Sequence, residues 1–192
     1  MGMTRRIVVS VVIAATLMAT AAVGSASASP VRNDTFKHAA VISSLPFNTT
    51  LDTTRATVDQ TDEQAATTCG VNGQFDLAAS VWYAYTPATD QTVTVDASGY
   101  NIGLGVFTGT PSNFSAFLCA TSGGEFSALA GETYYIDVVG LNGHGGTLNL
   151  SVTGNPTPAA PSSKAQCNKG GWRSFPQFKN QGACVRSIAP AK

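Results

Sequence analysis

Apolar and polar residues alternate along most of the chain between residues 78 and 153. Val81, Tyr83 and Tyr85 occupy every second position, so they point to one face of a strand, and Trp82 and its alternate neighbours point to the other. Further runs with this period contain Val93 and Val95, then Tyr134, Ile136 and Val138, and finally Leu148, Leu150 and Val152. A period of two that recurs in this way is typical of half-buried antiparallel strands.

Turn-forming residues separate these runs. Most of the intervening segments contain Gly, for example Ser98-Gly99 and Asn142-Gly143, and it supplies the positive φ that tight hairpins need. Parallel strands would require long crossover helices, and we find no window with a helical period of adequate length. The pattern therefore predicts an all-β fold, a jelly-roll-like sandwich of two antiparallel sheets. One short helix is predicted around residues 34–42.

The first 28 residues have the layout of a secretory signal peptide. Arg5 and Arg6 precede a mostly apolar run over residues 7–23, and Ala26-Ser27-Ala28 supplies the small residues of a cleavage site. A retained membrane anchor is the alternative, but it needs about 20 strongly apolar residues. We expect cleavage before Ser29 and a mature protein that is secreted and free of the membrane.

Four cysteines follow the predicted signal, and their even number in an exported chain favours disulfides. Zinc would require closely spaced pairs such as Cys-x-x-Cys, and the sequence has none. Cys69 and Cys119 both lie in the strand-rich part, whereas Cys167 and Cys184 both lie near the C-terminus. This layout favours the pairs Cys69–Cys119 and Cys167–Cys184 over the two other pairings.

A segment rich in Pro and Ser divides the mature chain. We assign residues 29–154 to the sandwich, 155–164 to a solvated linker and 165–192 to a basic, disulfide-clamped tail. The charge changes sign across the linker: residues 29–163 carry eleven acids and three bases, a net charge of −8, and residues 164–192 carry six bases and no acid. The near-zero net charge of the whole chain hides this asymmetry.

Several short motifs in the strand-rich part resemble a known bacterial extracellular domain. The motifs are Asn33-Asp34-x-Phe36, Leu45-Pro46-Phe47, Cys69-Gly70, Ser80-Val81-Trp82-Tyr83, Val106-Phe107-Thr108-Gly109 and Ala130-Gly131-x-Thr133-Tyr134-Tyr135-Ile136. In this order and spacing they are similar to the pre-peptidase C-terminal (PPC-type) domain. The resemblance implies a noncatalytic β sandwich, commonly appended to secreted hydrolases, of which some relatives bind calcium or polymers such as collagen.

Two positions depart from that pattern. Asn101-Ile102 and Ala120-Thr121 stand where relatives often carry carboxylates, so two expected calcium ligands are missing. The tail resembles a short ending found on various secreted actinobacterial-type proteins, through Cys167, Trp172, Phe175, Phe178, Asn180-Gln181-Gly182 and Cys184.

The sequence offers little for catalysis. His38 and His144 are the only histidines, and no Gly-x-Ser-x-Gly elbow is present. We therefore predict that the protein is not an enzyme and has no catalytic residues. A Ser-His-Asp triad, which assembles in space and not in sequence, is kept as a remote alternative.

Two groups of residues are candidate binding sites. Carboxylates around the first cysteine could supply oxygen ligands for calcium, the one cofactor considered, and a solvated acidic loop is the simpler reading: they are Asp59, Asp62, Glu63 and Asp76. Aromatic and basic residues of the tail could contact glycans or anionic polymers, or could merely stabilise a disulfide-clamped mini-fold: they are Trp172, Phe175, Phe178, Lys169, Arg173 and Lys179.

These patterns favour a secreted, noncatalytic binding or surface-associated module. Its expected partner is an extracellular polymer (glycan, cell wall or protein matrix) or a secreted protein. The sequence disfavours nucleic acid as a partner because the basic tail is offset by the acidic sandwich and the chain is exported. The alternative function is that of an accessory or inhibitor of secreted hydrolases or proteases.

Overall fold

The computed structural model describes residues 30–188 apart from residues 72, 74 and 159, so the predicted signal peptide lies outside the described residues. The strands are β1 (Ala40–Ile42), β2 (Phe47–Asp52), β3 (Ala78–Tyr85), β4 (Gln91–Ser98), β5 (Ile102–Thr110), β6 (Asn113–Ala120), β7 (Gly123–Ala128), β8 (Tyr134–Gly140) and β9 (Thr147–Pro156). The helices are α1 (Gln60–Thr68), α2 (Lys164–Cys167), α3 (Gln181–Ser187) and two 3₁₀ helices, Phe36–His38 and Gly171–Ser174.

The strands form two sheets, as the alternating pattern predicts. One sheet has five strands in the order β1-β3-β8-β5-β6, and the other has four in the order β2-β9-β4-β7. The pairing is antiparallel except between β1 and β3, which run parallel. The all-β, two-sheet sandwich predicted from the sequence is confirmed.

The main core lies between the sheets and contains the predicted apolar faces. Val81, Ile136 and Val138 of the five-stranded sheet meet Val93, Val95 and Val152 of the four-stranded sheet, and none of the six is exposed. Burying a Val or Ile side chain contributes about 1.5–3 kcal/mol before entropic costs. Alternation of this kind fixes the register, because a slip by one residue would turn the apolar set to solvent.

A second apolar cluster lies on the outer face of the five-stranded sheet. Trp82, Phe107 and Ala65 form its buried centre, and Phe36 packs on Trp82 with a ring-centroid distance of 5.2 Å. Helix α1 and the first 3₁₀ helix cover this face. The central strands β3 and β8 are consequently buried on both faces, whereas the sequence pattern indicates half-buried strands.

Two expectations about helices were wrong. The helix predicted around residues 34–42 is a single 3₁₀ turn, Phe36–His38, and Ala40–Ile42 pairs with β3 as a strand. A helix that we did not predict, α1, spans Gln60–Thr68. Its buried face consists of Asp62, Ala65 and Ala66, which is too short and too weakly apolar to give a helical period.

Both predicted disulfides are present. Cys69–Cys119 joins the C-terminal end of α1 to β6, and Cys167–Cys184 joins α2 to α3. Strand β9 continues through Asn155 and Pro156, which pair with β4, so the first two residues of the predicted linker are part of the sheet. Among the residues that the structure describes, no helix has the length and apolar character that a membrane crossing requires.

Candidate functional site

Helix α1 is fixed on the outer face of the five-stranded sheet by contacts at both of its ends. At its C-terminal end, Cys69 is covalently bound to Cys119 of β6. In its middle, Gln64 Oε1 accepts a hydrogen bond from the backbone N–H of Ser112 at a distance of 3.0 Å. At its N-terminal end, Asp62 reaches side chains of β3. The space between α1 and the sheet is therefore rigidly bounded.

Asp59 and Asp62 form the capping box of α1. Asp59 Oδ1 accepts hydrogen bonds from the backbone N–H groups of Thr61 and Asp62, and Asp62 Oδ2 accepts one from the N–H of Asp59. These bonds satisfy backbone donors that have no partner within the helix. The first two predicted calcium ligands thus already have a structural role.

Ser80 of β3 lies between two buried carboxyl groups. Its Oγ is 2.8 Å from Asp62 Oδ1 and 2.9 Å from Asp137 Oδ1, and all three side chains are almost fully buried. A serine hydroxyl has one hydrogen, so it can donate to only one of the two carboxyls. The other contact is a hydrogen bond only if a carboxyl carries a proton and donates it to Ser80 Oγ.

The remaining contacts decide which carboxyl carries that proton. Asp62 accepts hydrogen bonds from Trp82 Nε1, at 2.7 Å, and from the N–H of Asp59. Burial raises the pKa of Asp62 too, but both hydrogen bonds favour its ionised form and oppose that rise. Asp137 has no comparable donors described beyond Ser80. Burial raises the pKa of Asp137 well above its usual value, and the nearby charge of Asp62 raises it further. Asp137 is therefore the protonated partner, and its proton points to Ser80.

A largely apolar cavity of about 210 Å³ lies next to this carboxyl pair, between α1 and the outer face of the five-stranded sheet. Asp137 lines it together with Ala66 of α1, Gly103 and Gly105 of β5, and the Cys69–Cys119 disulfide. Ala120 and Thr121, one of the two positions where the chain departs from the PPC-type pattern, also line the cavity. A buried carboxyl in an apolar cavity is the kind of site that binds small ligands.

The structure separates the four predicted calcium ligands. Asp59 and Asp62 are engaged in the capping box, while the exposed Glu63 and Asp76 line a different cavity of about 400 Å³. Within residues 30–188, leaving aside the three that are not described, no three His, Cys, Asp or Glu side chains gather as a metal site would require. Calcium binding stays an untested prediction.

The tail is a small helical unit closed by a disulfide. Cys167 and Cys184 are fully buried, and Asn180 caps α3 by accepting a hydrogen bond from the N–H of Ala183 at 2.9 Å. Gln181 Nε2 donates to Asn168 Oδ1 at 3.1 Å, which ties α3 to the residue after α2. These contacts give the tail a defined shape around its disulfide.

The predicted binding residues of the tail divide into two groups. The rings of Trp172, Phe175 and Phe178 are partly buried. The side chains of the three basic residues, Lys169, Arg173 and Lys179, are exposed. The Arg173 guanidinium lies 5.0 Å from the centre of the Trp172 ring, within the range of a cation–π contact. The charges are thus the accessible part of this surface, and one face of the Trp172 ring is covered by its neighbour.

The two histidines lie in exposed positions. His38 Nδ1 is 2.9 Å from Thr35 Oγ1, a contact between residues three apart in one turn, and His144 lies in the loop between β8 and β9. A nucleophile activated by histidine also needs a group that orients the ring and a cleft for the substrate. Neither Thr35 nor His38 lines the cavities described above.

Sequence reasoning missed the carboxyl pair and its cavity. Asp137 alternates with Ile136 and Val138, so the pattern places it on a polar, outward face. That face is buried because α1 covers it, and α1 has no apolar stripe that would have revealed it. One available signal was Asp59-x-x-Asp62, which resembles the spacing of a capping box and marks a helix start.

The described residues thus define a two-sheet β sandwich that carries a small, disulfide-closed helical tail. The solved structures similar to it include the pre-peptidase C-terminal domain of a collagenase from Bacillus anthracis, with 16% sequence identity, a TM-score of 0.39, and coverage of 60% of this chain and 94% of that chain. This is the class of domain that the sequence motifs resemble.

Two periplasmic inhibitors of g-type lysozyme, both called PliG, are also similar. The Aeromonas hydrophila protein has 14% identity and a TM-score of 0.40, and covers 61% of this chain and 96% of its own. The Salmonella Typhimurium protein has 10% identity and a TM-score of 0.34, and covers 60% and 97%. No protein-family profile and no curated protein matches the chain. The strand pairing of the chain itself establishes the sandwich.

Proposed function

We propose that this protein is a secreted, noncatalytic binding module whose basic tail contacts an anionic extracellular polymer, such as a phosphate- or uronate-bearing wall glycan. The observation that carries this proposal is the set of exposed basic side chains on the disulfide-closed tail. Residues 164–192 contain no acidic residue that would offset them. Lys169, Arg173 and Lys179 are exposed while the rings beside them are partly buried.

The charge distribution favours the tail over the sandwich as the contact surface. Residues 29–163 have a net charge of −8, so the sandwich repels an anionic polymer, whereas the six bases of residues 164–192 attract it. The disulfide keeps Lys169, Arg173 and Lys179 on one compact unit, which reduces the conformational entropy lost on binding. The rings contribute chiefly by shaping that unit, because they are half-buried.

Two features support a noncatalytic role. Thr35 and His38 are neighbours in a single turn, with no third group described that would orient the imidazole. The buried Asp62–Ser80–Asp137 group is occupied by mutual hydrogen bonds, in which Ser80 is held between two carboxyls and not beside a histidine. Export is supported by the signal-like N-terminal sequence and by two disulfides.

A pair of triple variants tests the proposal. In the tail variant, Lys169, Arg173 and Lys179 are changed to Gln. In the sandwich variant, Arg32, Lys37 and Arg55, which are also exposed, are changed to Gln. Both variants lose three positive charges. In co-sedimentation with purified anionic wall glycan, we expect the tail variant to lose at least ten-fold in affinity and the sandwich variant to bind like wild type.

Equal losses in both variants would show that net charge and not the tail governs binding, and would contradict the proposal. Unchanged binding of the tail variant would contradict it as well. Nanomolar binding to a secreted hydrolase without any binding to the glycan would favour the accessory or inhibitor alternative instead.

A further inference from the structure

The cavity between α1 and the five-stranded sheet has the size and the lining to hold an apolar molecule. Its volume is about 210 Å³, compared with about 150 Å³ for a cavity that is known to accommodate benzene. Among the described residues that line it, only Thr121 and Asp137 have polar side chains. Phe75 also lines it and is 40% exposed, so the apolar surface continues to the outside of the protein. The space therefore suits an apolar body of roughly eight heavy atoms that enters from solvent.

One oxygen of the Asp137 carboxyl faces this space without a described protein partner. The side chain is only 3% exposed, its Oδ1 lies 2.9 Å from Ser80 Oγ, and no described contact engages Oδ2. In the part of the chain that the structure describes, Tyr83 Oη is the one fully buried side-chain polar atom that lacks a hydrogen-bond partner. Asp137 Oδ2 is therefore accessible, and the cavity that Asp137 lines is the space that reaches it.

The position of the shared proton makes this oxygen a neutral acceptor. The proton of Asp137 points to Ser80, so the negative charge of the pair stays on Asp62, which does not line the cavity. The described residues of the cavity wall include no Lys, Arg, His or Glu. An ion would lose its hydration there without meeting an opposite charge, which is costly. The ligand that fits is therefore neutral and carries a hydrogen-bond donor.

We infer that this cavity binds a small neutral molecule with an apolar body and one hydroxyl group, whose O–H donates to Asp137 Oδ2 while its body packs against Ala66 and Phe107. A hydroxyl suits the position because it adds no second polar group that the largely apolar wall would have to satisfy. The site is separate from the tail, so failure of this inference would leave the proposed function untouched, and the reverse holds as well.

The probes p-cresol and p-xylene are a matched pair, because they have the same shape and differ only by a hydroxyl in place of a methyl group. We expect titration of the mature protein, followed through NMR shifts of amides in α1, β5 and β8, to show saturable binding of p-cresol. Its affinity should exceed that of p-xylene by at least about five-fold, because p-xylene leaves a buried acceptor without a donor.

Substitutions at Asp137 test the role of its free oxygen. Asp137→Asn keeps a carbonyl oxygen towards the cavity while its Nδ2 donates to Ser80 Oγ, so the preference for p-cresol should persist. Asp137→Leu keeps a similar volume and removes the acceptor, so the two probes should bind with equal affinity. Because both variants lack the carboxyl, their difference separates the effect of the acceptor from that of charge.

Substitutions on α1 locate the binding. Ala66→Leu fills the cavity and should abolish the binding of both probes. Thr67→Leu adds bulk at the next, exposed residue, which does not line this cavity, and should leave both affinities unchanged.

Absence of saturable p-cresol binding to the folded wild-type protein would overturn the inference. So would equal affinity of the wild type for the two probes, loss of the preference in Asp137→Asn, or its persistence in Asp137→Leu. Wild-type affinity in Ala66→Leu would overturn it too, because the probes would then bind elsewhere. If Ala66→Leu or Asp137→Leu fails to fold, the wild-type preference, its retention in Asp137→Asn and the positions of the shifted amides decide the outcome.

Discussion

Asp62 and Asp137 are neighbouring carboxyls that differ in what surrounds them. Asp62 accepts hydrogen bonds from Ser80, from the Trp82 indole and from the backbone of Asp59, so all of its contacts suit a carboxylate. Asp137 faces Ser80 and an apolar cavity. The same residue type is therefore an anion at one position and a neutral acid at the other.

The first prediction compares the two substitutions to Asn. Asp62→Asn places an NH₂ group against a donor, either Trp82 Nε1 or the Asp59 N–H, and should lower the free energy of unfolding by about 1–3 kcal/mol. In Asp137→Asn, the new amide Nδ2 can donate to Ser80 Oγ. The free energy of unfolding at pH 7 should therefore fall only slightly or should rise. Urea denaturation of both variants measures the difference; an equal loss in both would contradict the assigned proton position.

The second prediction concerns pH. The folded-state pKa of Asp137 is raised above the usual value of 3.8, chiefly by burial, so the folded state binds more protons than the unfolded state above that value. Stability from this group is fully present below about pH 4 and is lost as pH rises towards the raised pKa. The stability of Asp137→Asn relative to wild type should therefore increase from pH 4 to pH 8, and a flat difference would contradict the shift.

At the scale of elements, the alternating runs were sufficient to predict strands β3, β4, β8 and β9. Their apolar residues recur at every second position because one face of each meets the other sheet. Helix α1 was not predictable in this way, since it buries two alanines and an aspartate and is held by a cap, a disulfide and side-chain hydrogen bonds. The candidate cavity was missed with it, because α1 forms one of its walls.

The third prediction tests how much the cap contributes to α1. Asp59→Ala removes the side chain that accepts hydrogen bonds from the N–H groups of Thr61 and Asp62, and should lower stability by about 1 kcal/mol. Asp59→Asn retains an acceptor oxygen and should restore most of the loss. Glu63→Ala, at an exposed position in the first turn, serves as the control. If thermal unfolding shows that Asp59→Asn is as unstable as Asp59→Ala, loss of the cap is not the cause of the lower stability.

At the scale of the whole molecule, the chain combines an acidic sandwich with a basic tail, each closed by its own disulfide. The sequence predicted the disulfide pairing because the cysteines fall into two groups along the chain. It could not predict that the tail rings are half-buried and its bases exposed, since that division depends on how α2, α3 and the second 3₁₀ helix pack around Cys167–Cys184. Because the bases are exposed and the rings are half-buried, the proposed contact depends on charge and not on aromatic stacking.

The fourth prediction is that binding to an anionic polymer depends on ionic strength. Interactions between exposed charges are screened over about 10 Å at 0.1 M salt and over about 3 Å at 1 M. A contact made by Lys169, Arg173 and Lys179 should thus weaken steadily as salt increases. Binding that persists unchanged at 1 M salt would indicate an apolar contact through the rings instead.

The most direct test of the central claim compares the full mature chain with a chain that ends at Lys164, and so lacks residues 165–192, for retention on purified anionic wall glycan at low salt. The NMR spectrum of the shortened chain first establishes that the sandwich remains folded. The account predicts that the full chain is retained and the shortened chain flows through. Equal retention of the two would contradict it, because the tail would then not be the surface that binds.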